Sequence, residues 1–104
     1  MSLGPRLLHI ARLVPEGSRV LDLGCGEGAL LDFLQREKGC SGYGVELDDA
    51  NVLACIGRGI NVLQLDLEEG LAMFRDASFD VGLQIDTFQH LRHLLEARMG
   101  NRGK

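Results

Sequence analysis

Residues 19–28 of this chain read RVLDLGCGEG, a segment with three apolar residues that passes directly into a glycine-rich turn. Residues 19–23, with Val20, Leu21 and Leu23, have the length and the branched side chains of a buried strand. Glycines at alternate positions allow a tight turn, and the apolar residues between Gly28 and Lys38 then recur at helical spacing. The pattern predicts a strand, a turn and a helix, which together form the first half of a βαβ unit.

The rest of the chain continues this alternation of strands and helices. In the third helix, which Asp48 or Asp49 can cap, the apolar residues Val52, Leu53 and Ile56 are expected to face inward. Alternating elements at this spacing predict an α/β fold, with a Rossmann-like parallel sheet, helices on both faces and a single domain over residues 1–104. The other predicted strands are 41–47, 60–65 and 79–85, and the other predicted helices are 5–14, 48–57, 68–74 and Thr87 to about Met99.

Composition narrows the class of protein and of partner. Of 104 residues, 45% are hydrophobic and 25% are charged, which is typical of a small globular domain. The formal net charge of −4 gives no electrostatic reason to expect nucleic acid or an anionic membrane as a partner. No apolar run approaches the ~20 residues of a membrane span. The cysteines, three in number, show no metal-type spacing, so we expect a cytoplasmic protein.

Acidic residues follow the predicted strands. Asp22 precedes the first glycine of the turn, Glu46 lies near the end of the second strand, and Asp66 follows the third. Ligands of open α/β sheets bind at the carboxyl ends of the strands, where the strand order reverses. We therefore expect these carboxylates and the glycine turn to gather around a nucleoside.

The glycine turn by itself fits two cofactors. Residues 24–29 also match the G-x-G-x-x-A fingerprint of NAD-binding proteins, and Glu46 lies about 20 residues further on, where a ribose-binding acid is expected. A pyrophosphate at this helix N-terminus would, however, meet the carboxylates of Asp22 and Glu27. S-adenosylmethionine carries an ammonium and a sulfonium and has no phosphate. The acidic surroundings therefore favour S-adenosylmethionine over NAD.

Residues 20–28 resemble the first motif of class I S-adenosylmethionine-dependent methyltransferases in their D-x-G-x-G core. Further segments are similar to the MetW family, which is associated with bacterial methionine biosynthesis. The resemblance extends from about Pro15 to Gln89, although residues 85–90 fit only in part and the basic tail from Arg92 fits poorly. The similar segments are 15–20, 42–46, 51–52, 54–56, 59–64 and 66–67.

The resemblance implies that the glycine turn holds the methionyl part of the cofactor. Gly24 and Gly26, with Cys25 and Gly28 in the same turn, would let the backbone approach that part closely. Asp22 would hold the ammonium or the loop that presents it. S-adenosylhomocysteine would be the product after methyl transfer.

The resemblance also implies how the adenosyl part is held. Glu46 would accept hydrogen bonds from both ribose hydroxyls, and Leu47 would pack on the adenine. Asp66 would accept a hydrogen bond from the adenine amino group, while the backbone amide of Leu67 donates to the ring.

The methyltransferase fold continues beyond the fourth strand, so the resemblance implies a sheet that is truncated there. Strand 79–85 would then lie at or near a bare edge, and unpaired edges favour pairing with other chains. We therefore expect a self-associating or marginally stable domain, and the family implies a homoserine O-acyltransferase as a further partner. The alternative to a methyltransferase is a non-catalytic regulatory or partner-binding module.

The residues that could carry catalysis stay unassigned. Asp86 is the best-placed candidate for a general base, and Cys25 is expected to be a packing residue rather than a nucleophile. His90 and His93 could share a helix face, but no third ligand accompanies them, so no metal site is predicted.

Overall fold

The computed structural model describes residues 3–76, 79–85 and 91–96. Helices and strands alternate from the first helix to the fourth strand, and the predicted types are confirmed over that range. The second, third and fourth strands are shorter than predicted. The elements are α1 (Pro5–Leu13), β1 (Arg19–Leu23), α2 (Ala29–Lys38), β2 (Ser41–Val45), α3 (Asp49–Gly57), β3 (Val62–Leu63), α4 (Leu67–Asp76), β4 (Val81–Ile85) and β5 (Leu91–Glu96).

The strands form one sheet in the order β3-β2-β1-β4-β5. β1 is parallel to both of its neighbours, β2 and β4, and β2 is parallel to β3. The chain moves outward from β1 to β2 and β3 and then returns to place β4 on the other side of β1. The carboxyl ends of β1 and β4 therefore flank the point where strand order reverses, which is where α/β sheets bind ligands.

Residues 91–96 form β5, whereas a helix was predicted from Thr87 to about Met99. β5 pairs antiparallel with β4, with an irregularity in the register between Gln84 and Ile85. Local helix preference is weak, and here the hydrogen bonds offered by the free side of β4 outweigh it. The helix prediction is therefore wrong for residues 91–96, while Thr87 and Met99 lie outside the described residues. β4 is not itself a bare edge, because β5 pairs with it, and among the described strands it lies next to the edge of the sheet.

Helices pack on both faces of the sheet, as predicted. Side chains alternate along β1, so Val20 joins a core that includes residues of α1 and α2, and Leu21 and Leu23 join a core closed by α4. Asp22 shares the face of Val20 because it stands two residues further along the strand. Its carboxylate therefore enters the α1 and α2 side of the sheet at the carboxyl end of β1.

The inward face of α3 differs from the prediction. Leu53 and Ile56 are 67% and 59% exposed, whereas Cys55 is completely buried. α3 contacts the glycine turn closely, since a Cβ placed on Gly28 would lie 3.0 Å from the sulfur of Cys55. A small thiol fits this gap between helix and turn, and a leucine or isoleucine does not.

A lysine fixes the C-terminal end of α1. The Nζ of Lys38 donates hydrogen bonds to the carbonyl oxygens of Ala11, at 2.8 Å, and of Val14, while the carbonyl oxygen of Lys38 accepts from the amide of Gly17 at 2.8 Å. Carbonyl groups at the C-terminal end of a helix lack intrahelical donors, and the positive charge of a lysine there interacts favourably with the helix dipole. α1 is thereby attached to the last turn of α2.

Candidate functional site

The glycine turn between β1 and α2 is held against the end of β2. Gly24, Gly26 and Gly28 have φ angles of +76°, +60° and +87°, a region that glycine enters without the steric cost of a Cβ. The amides of Gly24 and Cys25 both donate to the carbonyl oxygen of Val45, at 2.7 and 3.0 Å. The turn is therefore a fixed part of the sheet edge rather than a loose connection.

Glu46 bridges the glycine turn and the start of α3. Its Oε1 accepts from the amide of Gly26 at 2.8 Å, and its Oε2 accepts from the amide of Asp48 at 3.0 Å. Within the described residues, none of the ion pairs involves Glu46. The side chain is half-buried, and because Glu46 directly follows β2 its carboxylate lies at the carboxyl end of the sheet.

Asp22 is a buried carboxylate, and one of its oxygens has no hydrogen-bond partner among the described residues. It is only 2% exposed, and its Oδ1 has no hydrogen bond in the part of the chain that the structure describes. Burial, and secondly the charge of Glu46, raise the pKa of Asp22 to about 7. An ionised carboxyl in this position needs a positive partner, and the described residues supply none to it.

Two adjoining cavities open at the carboxyl ends of β1 and β4. The larger, about 920 Å³, is lined by Asp22, residues 24–27 and the first turn of α1. The smaller, about 270 Å³, is lined by Glu46 and by apolar side chains from the ends of the neighbouring strands. Both cavities include Gly24 and Ile85 in their walls, so one elongated ligand can occupy the two.

Exposed leucines flank Glu46 in the smaller cavity. Leu47 is 60% exposed and Leu67 is 44% exposed, and both line that cavity. Leu67 is the first residue of α4, where backbone amides have no intrahelical acceptor. Both leucines therefore offer apolar surface to a ligand in this cavity.

Not every predicted site residue reaches the cavities. Asp66 is exposed, and its Oδ1 accepts from the amide of Glu69 at 2.8 Å while the Glu69 carboxylate accepts from the amide of Asp66 at 2.9 Å. This reciprocal pair is a capping box at the start of α4. Gly28 lies buried at the start of α2. Asp86 and His90 lie outside the described residues.

Cys25 packs closely in the turn. Its Sγ lies 3.6 Å from the Sγ of Cys55, and a Cβ placed on Gly44 would overlap it. Burial raises the pKa of the Cys25 thiol, and the neighbouring charge of Asp22 adds to the effect. A thiol that resists ionisation is a poor nucleophile, which agrees with a packing role.

Sequence reasoning missed the contribution of α1 to the larger cavity. Arg6 and His9 line this cavity together with Gly4 and Pro5. The spacing of Arg6 and His9, three residues apart on a helix, was the available signal that they share a face.

The strand order and the acid-flanked glycine turn define a Rossmann-like domain of the methyltransferase type. Solved structures agree. The chain is 34% identical to an S-adenosylmethionine-dependent methyltransferase from Archaeoglobus fulgidus, with a TM-score of 0.63, covering 86% of this chain and 42% of that one. It also shares the fold of an S-adenosylmethionine-dependent methyltransferase from Thiobacillus denitrificans in complex with S-adenosyl-L-homocysteine, with 22% identity, a TM-score of 0.64, and coverage of 83% and 38%.

The family follows from the sequence match. The family model described as "Methionine biosynthesis protein MetW" matches residues 5–99, and the chain belongs to this family. It is 38% identical over 95 residues to the "Bifunctional methionine biosynthesis protein MetXA/MetW" of Rhodopirellula baltica, covering 84% of this chain and 15% of that protein. The chain thus spans less than half the length of each of these three proteins. Among the described residues, no helix has the length and hydropathy needed to cross a bilayer.

Proposed function

We propose that this chain binds S-adenosylmethionine as a methyltransferase-like domain of the MetW type, over residues 1–104, and acts in methionine biosynthesis. The observation that carries the proposal is the buried carboxylate of Asp22, whose Oδ1 has no partner among the described residues and which faces the larger cavity. The ammonium of the methionyl group would supply that partner. A charge-assisted hydrogen bond of this kind contributes about 1.5–3 kcal/mol.

The hydrogen bonds of the glycine turn support this ligand over NAD. A pyrophosphate would need free backbone amides at this helix N-terminus. The amides of Gly24 and Cys25 instead donate to Val45, and the amide of Gly26 donates to the Glu46 carboxylate. A phosphate brought here would displace these bonds and meet two carboxylates, Asp22 and Glu46.

For the adenosyl part we propose the smaller cavity. Each carboxylate oxygen of Glu46 accepts one amide hydrogen, and each has a second lone pair that can accept from a ribose hydroxyl. The adenine would lie against Leu47 and Leu67, with the Leu67 amide donating to the ring. Asp66 would accept from the adenine amino group through its remaining lone pairs, because its Oδ1 already caps α4.

When bound, the cofactor supplies an electrophilic methyl group on a positively charged sulfur. The contribution of the chain is to hold the two ends of the cofactor, since placing the reacting groups in line removes much of the barrier to such a transfer. Asp22, Gly24 and Gly26 would orient the methionyl end, and Glu46 would fix the ribose. The larger cavity leaves space beside the methionyl group for an acceptor.

The second candidate function is a non-catalytic module that binds the cofactor and regulates a partner. It is favoured by the name of the Rhodopirellula baltica relative, in which MetXA and MetW are parts of one protein. We propose a homoserine O-acyltransferase as the partner, and a cytoplasmic location in keeping with the three free thiols of Cys25, Cys40 and Cys55. Self-association stays a prediction, and it would have to use an edge of the sheet other than β4.

Calorimetry with S-adenosylmethionine, S-adenosylhomocysteine and NAD separates these functions. We expect both adenosyl ligands to bind and NAD not to bind. Uptake of NAD alone would end the proposal, and binding of none of the three would leave only a partner-binding module.

The same titrations test the ribose assignment. Glu46→Ala should weaken S-adenosylhomocysteine by at least tenfold, because it removes acceptors for the ribose hydroxyls. Glu46→Gln, which retains one acceptor oxygen for the Gly26 amide, separates the ribose contribution from the support of the turn. Glu37→Ala, an exposed acid on α2, is the matched control. An unchanged affinity in Glu46→Ala, with an intact circular dichroism spectrum, would contradict the assignment.

A further inference from the structure

The N-terminal end of α1 makes part of the wall of the larger cavity. Residues 4–7 line it together with Asp22 and residues 24–27. The helix begins at Pro5 after Gly4, which supplies no side-chain cap, and its first turn contains no acidic residue. The first amides of a helix lack intrahelical acceptors, and the helix dipole makes this end positive. The guanidinium of Arg6 adds a full positive charge to the same wall.

The cavity therefore presents groups of opposite charge. Asp22 is buried, and its Oδ1 has no hydrogen-bond partner in the described part of the chain, so a cationic group of a ligand would stabilise its carboxylate. Arg6 and the start of α1 give their part of the wall a positive charge, which attracts an anion. A ligand that offers an ammonium and a carboxylate on one carbon meets both requirements at once, and an α-amino acid group is such a ligand.

We propose that Arg6 and the first turn of α1 bind the α-carboxylate of the methionyl group, opposite in charge to the ammonium held by Asp22. This assignment rests on the proposed function, and it adds a positioning residue outside the glycine turn. The other end of α1 is attached to α2 through Lys38, so the first turn is held over the cavity before the ligand arrives. A guanidinium on a prearranged helix loses less conformational freedom on binding than one on a mobile segment.

The relative position of the two cavities supports the proposed orientation of the ligand. Glu46 and its exposed leucines line only the smaller cavity, whereas Arg6 and Asp22 line only the larger. Gly24 and Ile85 lie in both walls. A nucleoside in the smaller cavity would therefore extend its amino acid group past Gly24 and towards Arg6.

The test uses three ligands that differ in the amino acid group and also in the charge on sulfur, so each ligand is compared between wild type and variant. S-adenosylhomocysteine has both the ammonium and the carboxylate, decarboxylated S-adenosylmethionine retains the ammonium alone, and 5′-methylthioadenosine has neither. Their affinities are measured by calorimetry for the wild-type chain, for Arg6→Gln and for Arg12→Gln. Arg12 is the matched control, because it is an exposed arginine on the same helix that does not line the larger cavity.

We expect Arg6→Gln to weaken S-adenosylhomocysteine by about tenfold, the lower end of the range for a charged hydrogen bond, since Arg6 is exposed. Decarboxylated S-adenosylmethionine and 5′-methylthioadenosine should bind Arg6→Gln and wild type equally. The loss for S-adenosylhomocysteine should also shrink as salt is added, because salt screens exposed charges. Arg12→Gln should bind all three ligands as the wild type does.

The alternative outcomes separate this assignment from the proposed function. An equal loss for all three ligands in Arg6→Gln, or an equal loss for S-adenosylhomocysteine in Arg12→Gln, would overturn the carboxylate assignment alone. Unchanged binding of S-adenosylhomocysteine to Arg6→Gln would do the same. A wild-type chain that binds none of the three ligands would overturn the proposed function and this assignment with it.

Discussion

Replacing Asp22 by asparagine should make the unliganded protein more stable at alkaline pH and less able to bind the cofactor. Burial raises the pKa of Asp22 from 3.8 to about 7. A carboxyl whose pKa is higher in the folded state binds more protons when folded, so the stability of the wild type falls as pH rises. The penalty is absent below about pH 4, grows through the interval, and is complete above about pH 7.

The magnitude follows from the rise of the Asp22 pKa from 3.8 to about 7. Each tenfold change in a protonation equilibrium corresponds to about 1.4 kcal/mol, so the full penalty is about 4 kcal/mol. That is a large part of the ~5–15 kcal/mol that stabilises a typical domain. The substituted asparagine would carry no charge, and the difference in unfolding free energy between variant and wild type should grow by about 3 kcal/mol between about pH 4.5 and pH 8.

The assay is urea unfolding followed by circular dichroism at a series of pH values, for wild type, Asp22→Asn and Asp76→Asn. The exposed Asp76 controls for the loss of one negative charge. The growth of the difference with pH is the informative quantity, because a buried asparagine has its own unsatisfied amide and shifts the baseline. A difference that stays constant with pH would refute the reasoning, as would one that shrinks.

The ligand provides a second readout of the same carboxylate. An ammonium beside Asp22 favours its ionised form, so S-adenosylhomocysteine should bind the wild type more tightly at about pH 8 than at about pH 6. Asp22→Asn should bind it about tenfold more weakly at the higher pH and lose this part of the pH dependence.

Three further substitutions test how the fold supports the site. Gly42→Ala should prevent folding, because its Cβ would overlap the carbonyl of Val20 on the neighbouring strand. The control Gly57→Ala, whose Cβ meets no atom within 4 Å, should be neutral or stabilising by up to about 1 kcal/mol in thermal unfolding. A folded Gly42→Ala would contradict the close pairing of β1 and β2. Lys38→Met should lower the unfolding free energy by about 1.5–3 kcal/mol, since it removes the charged donor to the last carbonyls of α1, and unchanged urea unfolding would show that these hydrogen bonds contribute nothing.

The parts of the fold that were predictable are those in which local pattern and tertiary structure agree. The strand, turn and helix from Arg19 to Lys38 need glycines at positive φ in the turn. They also need apolar residues first at strand spacing and then at helix spacing, and both signals are visible in the sequence. The positions of Asp22 and Glu46 at strand ends followed from the same reasoning. Which of their carboxylate oxygens have hydrogen-bond partners did not follow from the sequence, because that depends on the residues packed around each carboxylate.

The parts that were not predictable depend on a neighbour that is distant in sequence. β5 forms because β4 offers an unpaired side, and the leucine spacing of residues 91–96 carries no trace of that. Cys55 faces inward because Gly28 leaves a narrow gap there, so the larger Leu53 and Ile56 lie outside. The capping role of Asp66, by contrast, was readable from the D-x-x-E spacing to Glu69.

β3 is an edge strand of the sheet, and only two of its residues, Val62 and Leu63, pair with β2. A strand this short exposes few backbone donors and acceptors, so a misfolded or partly folded second molecule finds little there on which to extend a β-structure. The brevity of this outermost strand thus protects the protein against fibrous aggregation at that margin, and lengthening it by substitutions of high β-propensity would remove the protection.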